Sequence, residues 1–368
     1  DSEHLVTASA DGTARIWNLL AGEPVGTPLR HDAAVMRAEF SPDGSRIVTC
    51  SKDGTVRVWD AGPPVEESTI YIDAHEARYG PDGDRLITTD GDGVAKIWDA
   101  ASGETLMQFE GTDWSGGAEI SPDGSILAQV NDDGTAIIWD LQTGEPRFTL
   151  DGHDDWVNNL ALSPDGSLLA TVGQDGKVIV WAVDSGQAIK TLDHGGAAWG
   201  IAFSPDGSLL VSAGSGNGEG QTGLDAAIVW DLASGERLRE LIGHHDRIKR
   251  AIISSNGEQL LTAGWDSTAR LWDVASGEEL FVLEGHSGPI WGADISPDGS
   301  LLATGSIDRS VKLWDATTGT VRFTLAEIGD GVNNVDFRPD GTRLIAASSD
   351  GTLREYVLPL NELMALAE

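Results

Sequence analysis

Three residue types that together can cleave an acyl bond recur along the chain at fixed spacing. His153, Thr171 and Asp175 are repeated as His244, Thr262 and Asp266, and again as His286, Thr304 and Asp308. A histidine that takes a proton from a hydroxyl, oriented by a carboxylate, is the machinery of nucleophilic hydrolysis. Such a reaction needs one copy in one cleft, so repetition in several units argues for a structural role. Other candidate chemistry is thinner. His75, Asp73 and Asp132 could converge on a catalytic or metal site, yet no pair among them has metal-ligand spacing on one element. The glycine-rich stretch 214–223 is followed by no Lys-Ser/Thr pair and no helix, so it does not read as a phosphate cradle but as a mobile loop. Cys50 is the single cysteine, which rules out an intrachain disulfide and suits a buried thiol in a reducing compartment.

The elements that position these residues are set by a repeat. Trp17, Trp59, Trp98, Trp139, Trp181, Trp230, Trp272 and Trp314, with Tyr356 in the ninth slot, are separated by 42, 39, 41, 42, 49, 42, 42 and 42 residues. A period near 40 marks a stack or ring of one supersecondary unit. Each period opens on a turn such as Ser163-Pro164-Asp165-Gly166, in which Pro presets φ, Asp bonds the turn backbone and Gly accepts positive φ. A short apolar run follows, then a second turn such as Asp175-Gly176, then an alternating strand ending on the Trp. These are consecutive antiparallel strands. With one strand upstream of each Pro and one beyond each Trp, the unit has four short strands, which is one propeller blade.

On these residues the chain resembles the WD-repeat β-propeller family over essentially its whole length. Trp-Asp stands at Trp59-Asp60, Trp98-Asp99, Trp139-Asp140, Trp230-Asp231, Trp272-Asp273 and Trp314-Asp315, and Gly-His at Gly152-His153, Gly243-His244 and Gly285-His286. The resemblance implies an all-β propeller of four-stranded antiparallel blades, in which His, Ser or Thr, Asp and Trp form buried hydrogen-bonded tetrads. The positions that match are His31, Thr49, Asp53, Trp59; His153, Thr171, Asp175, Trp181; His244, Thr262, Asp266, Trp272; and His286, Thr304, Asp308, Trp314. A fifth set is His194, Ser212 and Trp230, with Asp225 displaced by the insertion. Counting back from Tyr356, seven anchors begin at Trp98. Residues 62–358 are therefore expected to form a seven-bladed ring, with the strand around Ser68 to Ile72 completing the last blade. Residues 1–61 would be partial repeats, the remnant of a preceding propeller, and 359–368 a short helix. A single eight-bladed ring closed by the strand around Val25 to Leu29 is the competing arrangement.

The chain has 368 residues, 24 Lys and Arg against 59 Asp and Glu, and a formal net charge of −35. That balance lacks the basic stripe a phosphate backbone requires and excludes nucleic acid as a partner. No apolar run is long enough for a membrane span, so a soluble, cytoplasmic protein is expected. The acidic excess would steer a cationic partner, or serve solubility. Eight of the 13 Trp are blade anchors, leaving Trp114, Trp156, Trp199, Trp265 and Trp291. In the family their slots line the mouth of the central channel, and Arg247, Lys249, His75, Asp73, Asn158, Asn333, Gln174 and Asp132 occupy slots of the same kind. Trp and Arg are enriched among interface hot spots. The expectation is a non-catalytic scaffold or sensor module, of the kind found in large bacterial regulators, that binds a peptide or protein segment at this mouth and needs no cofactor or metal. The alternatives are an indole plug without a ligand, small-molecule or glycan binding at the same mouth, and a propeller hydrolase.

Overall fold

Among the described residues each Ser-Pro-Asp-Gly turn is closed by its own side chains. Ser163 Oγ donates to Asp165 Oδ1 at 2.6 Å, the Ser167 backbone N–H donates to the same oxygen at 3.0 Å, and Gly166 takes φ +71°. Those donors, Ser163 first, hold the Asp165 carboxyl down at about 2. The Asp of Trp-Asp closes the next turn in the same manner. Asp273 Oδ1 accepts the Ser276 backbone N–H at 2.7 Å and its hydroxyl at 2.6 Å, reversing the chain into the outer strand.

The computed structural model describes residues 4–18, 23–31, 33–40, 46–52, 56–60, 65–71, 76–111, 115–215, 225–326 and 328–358. Among them every regular element is a β-strand. In the blade of Trp181 the strands Val157–Leu162, Leu168–Gly173, Lys177–Ala182 and Gln187–Asp193 pair in that order, from the channel outward. Six sheets of this kind follow one another along residues 76–326 and are numbered here one to six. The seventh is composite. Val332–Phe337, Arg343–Ser348 and Thr352–Val357 are completed by Val65–Tyr71, which pairs antiparallel with Thr352–Val357 in the register Thr352↔Tyr71 to Val357↔Val65. The ring is thus seven-bladed and closed by an early strand, the first of the two arrangements the sequence left open.

A separate apolar cluster fills each of the seven blade junctions. At the closing one Ala77, Tyr79 and Leu86 meet Ile345, Ala347 and Leu353. Trp181, Trp230, Trp272 and Trp314 are all buried in such clusters, Trp314 to 1% exposure. Truncating an indole in such a place costs about 3–5 kcal/mol.

Residues 4–60 form two three-stranded sheets, His4–Ala8 with Thr13–Asn18 and Glu23–Arg30, and Val35–Phe40 with Arg46–Ser51 and Val56–Asp60. The strand carrying Val25 to Leu29 pairs within its own sheet, which leaves no eight-bladed closure. The second sheet stops at three strands because the next one, Val65–Tyr71, is taken up by the ring. The helix expected over 359–368 and most of the glycine-rich loop lie outside the described residues.

Candidate binding face at the channel mouth

The recurring His, Thr and Asp meet, but in places no substrate reaches. His153 Nδ1 lies 3.0 Å from Asp175 Oδ1 and Nε2 lies 2.9 Å from Thr171 Oγ1, which also accepts the Trp181 indole N–H at 2.9 Å. His244, Asp266, Thr262 and Trp272 repeat this at 2.9, 2.9 and 2.8 Å, and His286, Asp308, Thr304 and Trp314 at 2.9, 2.8 and 2.8 Å. The chain of donors fixes one tautomer. Nδ1–H donates to the carboxylate, the hydroxyl donates to Nε2, and the indole donates to the hydroxyl oxygen. Thr171, Thr262 and Thr304 have no exposed surface, so none can serve as a nucleophile. Burial pushes the His153 and His286 pKa down even though their carboxylates oppose it, which keeps both rings neutral. In the fifth set the ring is turned. His194 meets Ser212 Oγ through Nδ1 at 2.9 Å, and burial followed by the Arg237 charge lowers its pKa to about 4. His31 Nε2 lies 2.7 Å from Thr49 Oγ1, whereas Asp53 and the Trp59 side chain fall outside the described residues. Blade two departs from the pattern. Gln129 accepts the Trp139 indole N–H at 3.1 Å and donates to Gly93 O at 2.7 Å, and Gly111 stands in the His slot because a Cβ there would lie 2.6 Å from Gln129 Nε2.

The bore is crossed by side chains. Arg250, from the inner strand of blade five, donates through Nε to Trp291 O at 3.0 Å and through Nη2 to Asn334 Oδ1 at 3.1 Å and Glu76 Oε1 at 2.7 Å. One guanidinium therefore ties blades five, six, seven and one. Arg78 reaches from blade one to Asn159 Oδ1 on blade three at 3.4 Å. Glu119, Asp294 and Asp336 each accept a backbone N–H of the following inner strand, from Leu162 at 3.2 Å, Phe337 at 2.7 Å and Tyr79 at 2.8 Å. Desolvation pushes Asp294 up to about 6, Asp336 well above the carboxylate range and Glu119 upward. Desolvation acts on Glu76 as well, but the Arg250 and Arg78 charges outweigh it and hold that carboxyl below its ordinary value.

These bore residues were not singled out from the sequence. Their signal was present: Arg78, Glu119, Asp294 and Asp336 all stand three before the turn Pro. An isolated charge at that slot looks like a solvated edge position until the ring brings seven such slots together.

At one end of the bore the inner strands of blades two to seven each carry a bulge at their second residue, the register skipping Gly116, Asn158, Trp199, Lys249, Trp291 and Asn333. A bulge re-aims the extra side chain. Trp199, Lys249 and Trp291 thus come from three consecutive blades. The Lys249 ammonium sits 4.9 Å from the centroid of Trp199, and the Arg247 guanidinium 5.0 Å from that of Trp265. Trp265 and Trp291 lie 6.3 Å apart and 31° from parallel. Trp265 reaches this end because its backbone N–H donates to Arg247 O at 2.9 Å, binding the hairpin of blade five to the segment that enters the inner strand. Gln174 binds Trp156 O in the same way at 2.8 Å, and Trp156 itself is 53% exposed. Asn158 donates to Ala198 O at 2.9 Å, and Asn333 accepts from Ser349 at 2.7 Å. Burial, then the neighbouring Arg250, lowers the Lys249 ammonium to about 8.

Trp114, His75 and Asp73 lie outside the described residues. Trp199 Nε1, Trp291 Nε1 and Asn158 Oδ1 are buried without a hydrogen-bond partner among the described residues. Each such orphan costs about 1–3 kcal/mol. Among the described residues no three His, Cys, Asp or Glu gather as a metal ion would need, and no helix is long and apolar enough to cross a membrane.

The family described as WD domain, G-beta repeat matches residues 1–18, 22–60, 74–99, 144–182, 186–218, 235–273, 277–315 and 319–356. The longest stretch between matches, 100–143, holds the three inner strands of the blade in which Gln129 and Gly111 replace the Thr and His. No protein of curated function matches the chain.

Proposed function

The chain belongs to the WD-repeat family, whose propellers commonly mediate protein–protein interaction, and on that premise we propose that this one is a non-catalytic scaffold or sensor module binding a peptide or protein segment at its Trp-rich mouth. The observation that carries the reading is the layer of Trp199, Trp265 and Trp291 with Lys249 and Arg247 over a bore already filled by Arg250 and Glu76. Rigid indoles supply large contact area at small entropic cost, the property that makes Trp a hot-spot residue. Trp156, with its ring half in solvent, extends the patch toward blade three.

The test is a double replacement, Trp199→Ala with Trp291→Ala, read by melting temperature and by partner capture from the source cell. Capture reduced at least about tenfold with a small change in melting temperature supports the reading, since losing one or two hot spots costs about 2 kcal/mol or more each. Undiminished capture with a large loss of stability would make the indoles a plug.

A further inference from the structure

The donors at the mouth lack acceptors. Lys249 and Arg247 lie over indole faces, and neither has a carboxylate within ion-pair distance among the described residues. Arg85, Lys177, Arg270, Arg322 and Arg343 sit against carboxylates, whereas Lys190 and Arg237 are met by backbone carbonyls and Lys312 by Thr324. The Trp199 and Trp291 indole N–H groups, on the two blades flanking Lys249, are also without acceptors. Two cations and two buried indole N–H groups without acceptors among the described residues therefore stand on three consecutive blades, four to six. The Trp199 and Trp265 faces, which could receive a ligand's cation, already carry the protein's own.

From this, and resting on the reading of the mouth as a peptide site, we infer that the group recognised there is a carboxylate carried by a peptide, seated between Lys249 and Arg247 with an apolar neighbour against Trp291 and Trp265. Asn158 Oδ1, on blade three, is likewise buried without a partner among the described residues. The net charge of −35 works against approach of an anion at long range, so the preference is one of contact and strengthens as salt screens the surface. The Lys249 ammonium, lowered to about 8 by burial and by the Arg250 and Arg78 charges against the opposing pull of Glu76, loses its charge between pH 7 and 9, and the carboxylate loses its partner over the same range.

The experiment is selection of two random peptide libraries on the immobilised chain. One displays peptides with free C-termini and the other internal segments with blocked ends, so that a terminal carboxylate and an Asp or Glu side chain are told apart. Individual winners are then measured by calorimetry against copies with Asp or Glu changed to the amide, or with the C-terminus amidated. The expected result is enrichment of carboxylates beside Leu, Phe or Trp, at least about tenfold weaker binding on amidation, and a similar loss in Lys249→Gln and between pH 7 and 9. Lys249→Gln replaces a half-buried ammonium by a neutral group and is checked for an unchanged melting temperature; Arg247→Gln, at an exposed position, is the second variant. Enrichment of Lys or Arg, or of no charged class, overturns the carboxylate assignment. If winners lose binding in Trp199→Ala with Trp291→Ala but ignore Lys249→Gln and Arg247→Gln, the mouth stands and the carboxylate falls. If they ignore the Trp variants too, both fall.

Discussion

At the scale of single residues, the histidine sets show how polar groups can be fully buried at little cost. Thr171→Val keeps the shape but leaves the Trp181 indole and His153 Nε2 unpaired, and should lower stability by about 1–3 kcal/mol in urea denaturation. Asp294 predicts the opposite sign. Its folded pKa of about 6 exceeds the ordinary 3.8, so between those values the folded chain binds more protons than the unfolded one and stability falls as pH rises. An Asn there can still accept the Phe337 N–H. Asp294→Asn should therefore raise the melting temperature at pH 7.5 and flatten its decline between pH 4 and 6; a steeper decline in the variant would refute the assignment. His194 runs the other way again. With its pKa at about 4 it contributes stability above the ordinary 6.5 that is lost as pH falls through that interval.

At the scale of elements, the strands and turns were legible in the sequence because each is specified locally. Pro, Asp and Gly fix a turn, alternation fixes a face, and eight near-copies remove the ambiguity any one would carry. The closing strand was legible too, since the last repeat lacked an outer strand and residues 68–72 offered one. The bulges were not. A skipped residue leaves no mark in a single strand, and it is the bulge that sends Trp199, Lys249 and Trp291 to the same opening. Nor was the Arg250–Glu76 pair legible, because its partners are 174 residues apart and meet only when the ring is shut. Removing one member of a buried pair leaves an uncompensated charge, typically at a cost of 3–5 kcal/mol. Arg250→Met should be destabilising by about that much, and Glu76→Gln on top of it should recover part of the loss, which a double-mutant cycle measures.

At the scale of the whole molecule, the sign and size of the charge matter more than any pair. Fifty-nine carboxylates against 24 bases repel one another across a compact disc, and salt screens that repulsion over about 10 Å at 0.1 M. The melting temperature should therefore rise between 20 mM and 500 mM sodium chloride, and a fall would mean that the surface pairs, such as Lys177 with Asp154, outweigh the net repulsion.

The strand Val65–Tyr71 is made early and finds its partner late. Roughly 280 residues separate it from Thr352–Val357, and at a synthesis rate of about 5–20 residues per second the ribosome needs some 15–55 s to supply them. Through that interval its partner in the ring does not exist, and the edge within reach along the chain is that of Val56–Asp60, the last strand of the three-stranded sheet before it. Its protection in the cell is then a matter for chaperones that shield exposed edges during translation, and the yield of the recombinant chain should depend on them more than its final stability would suggest.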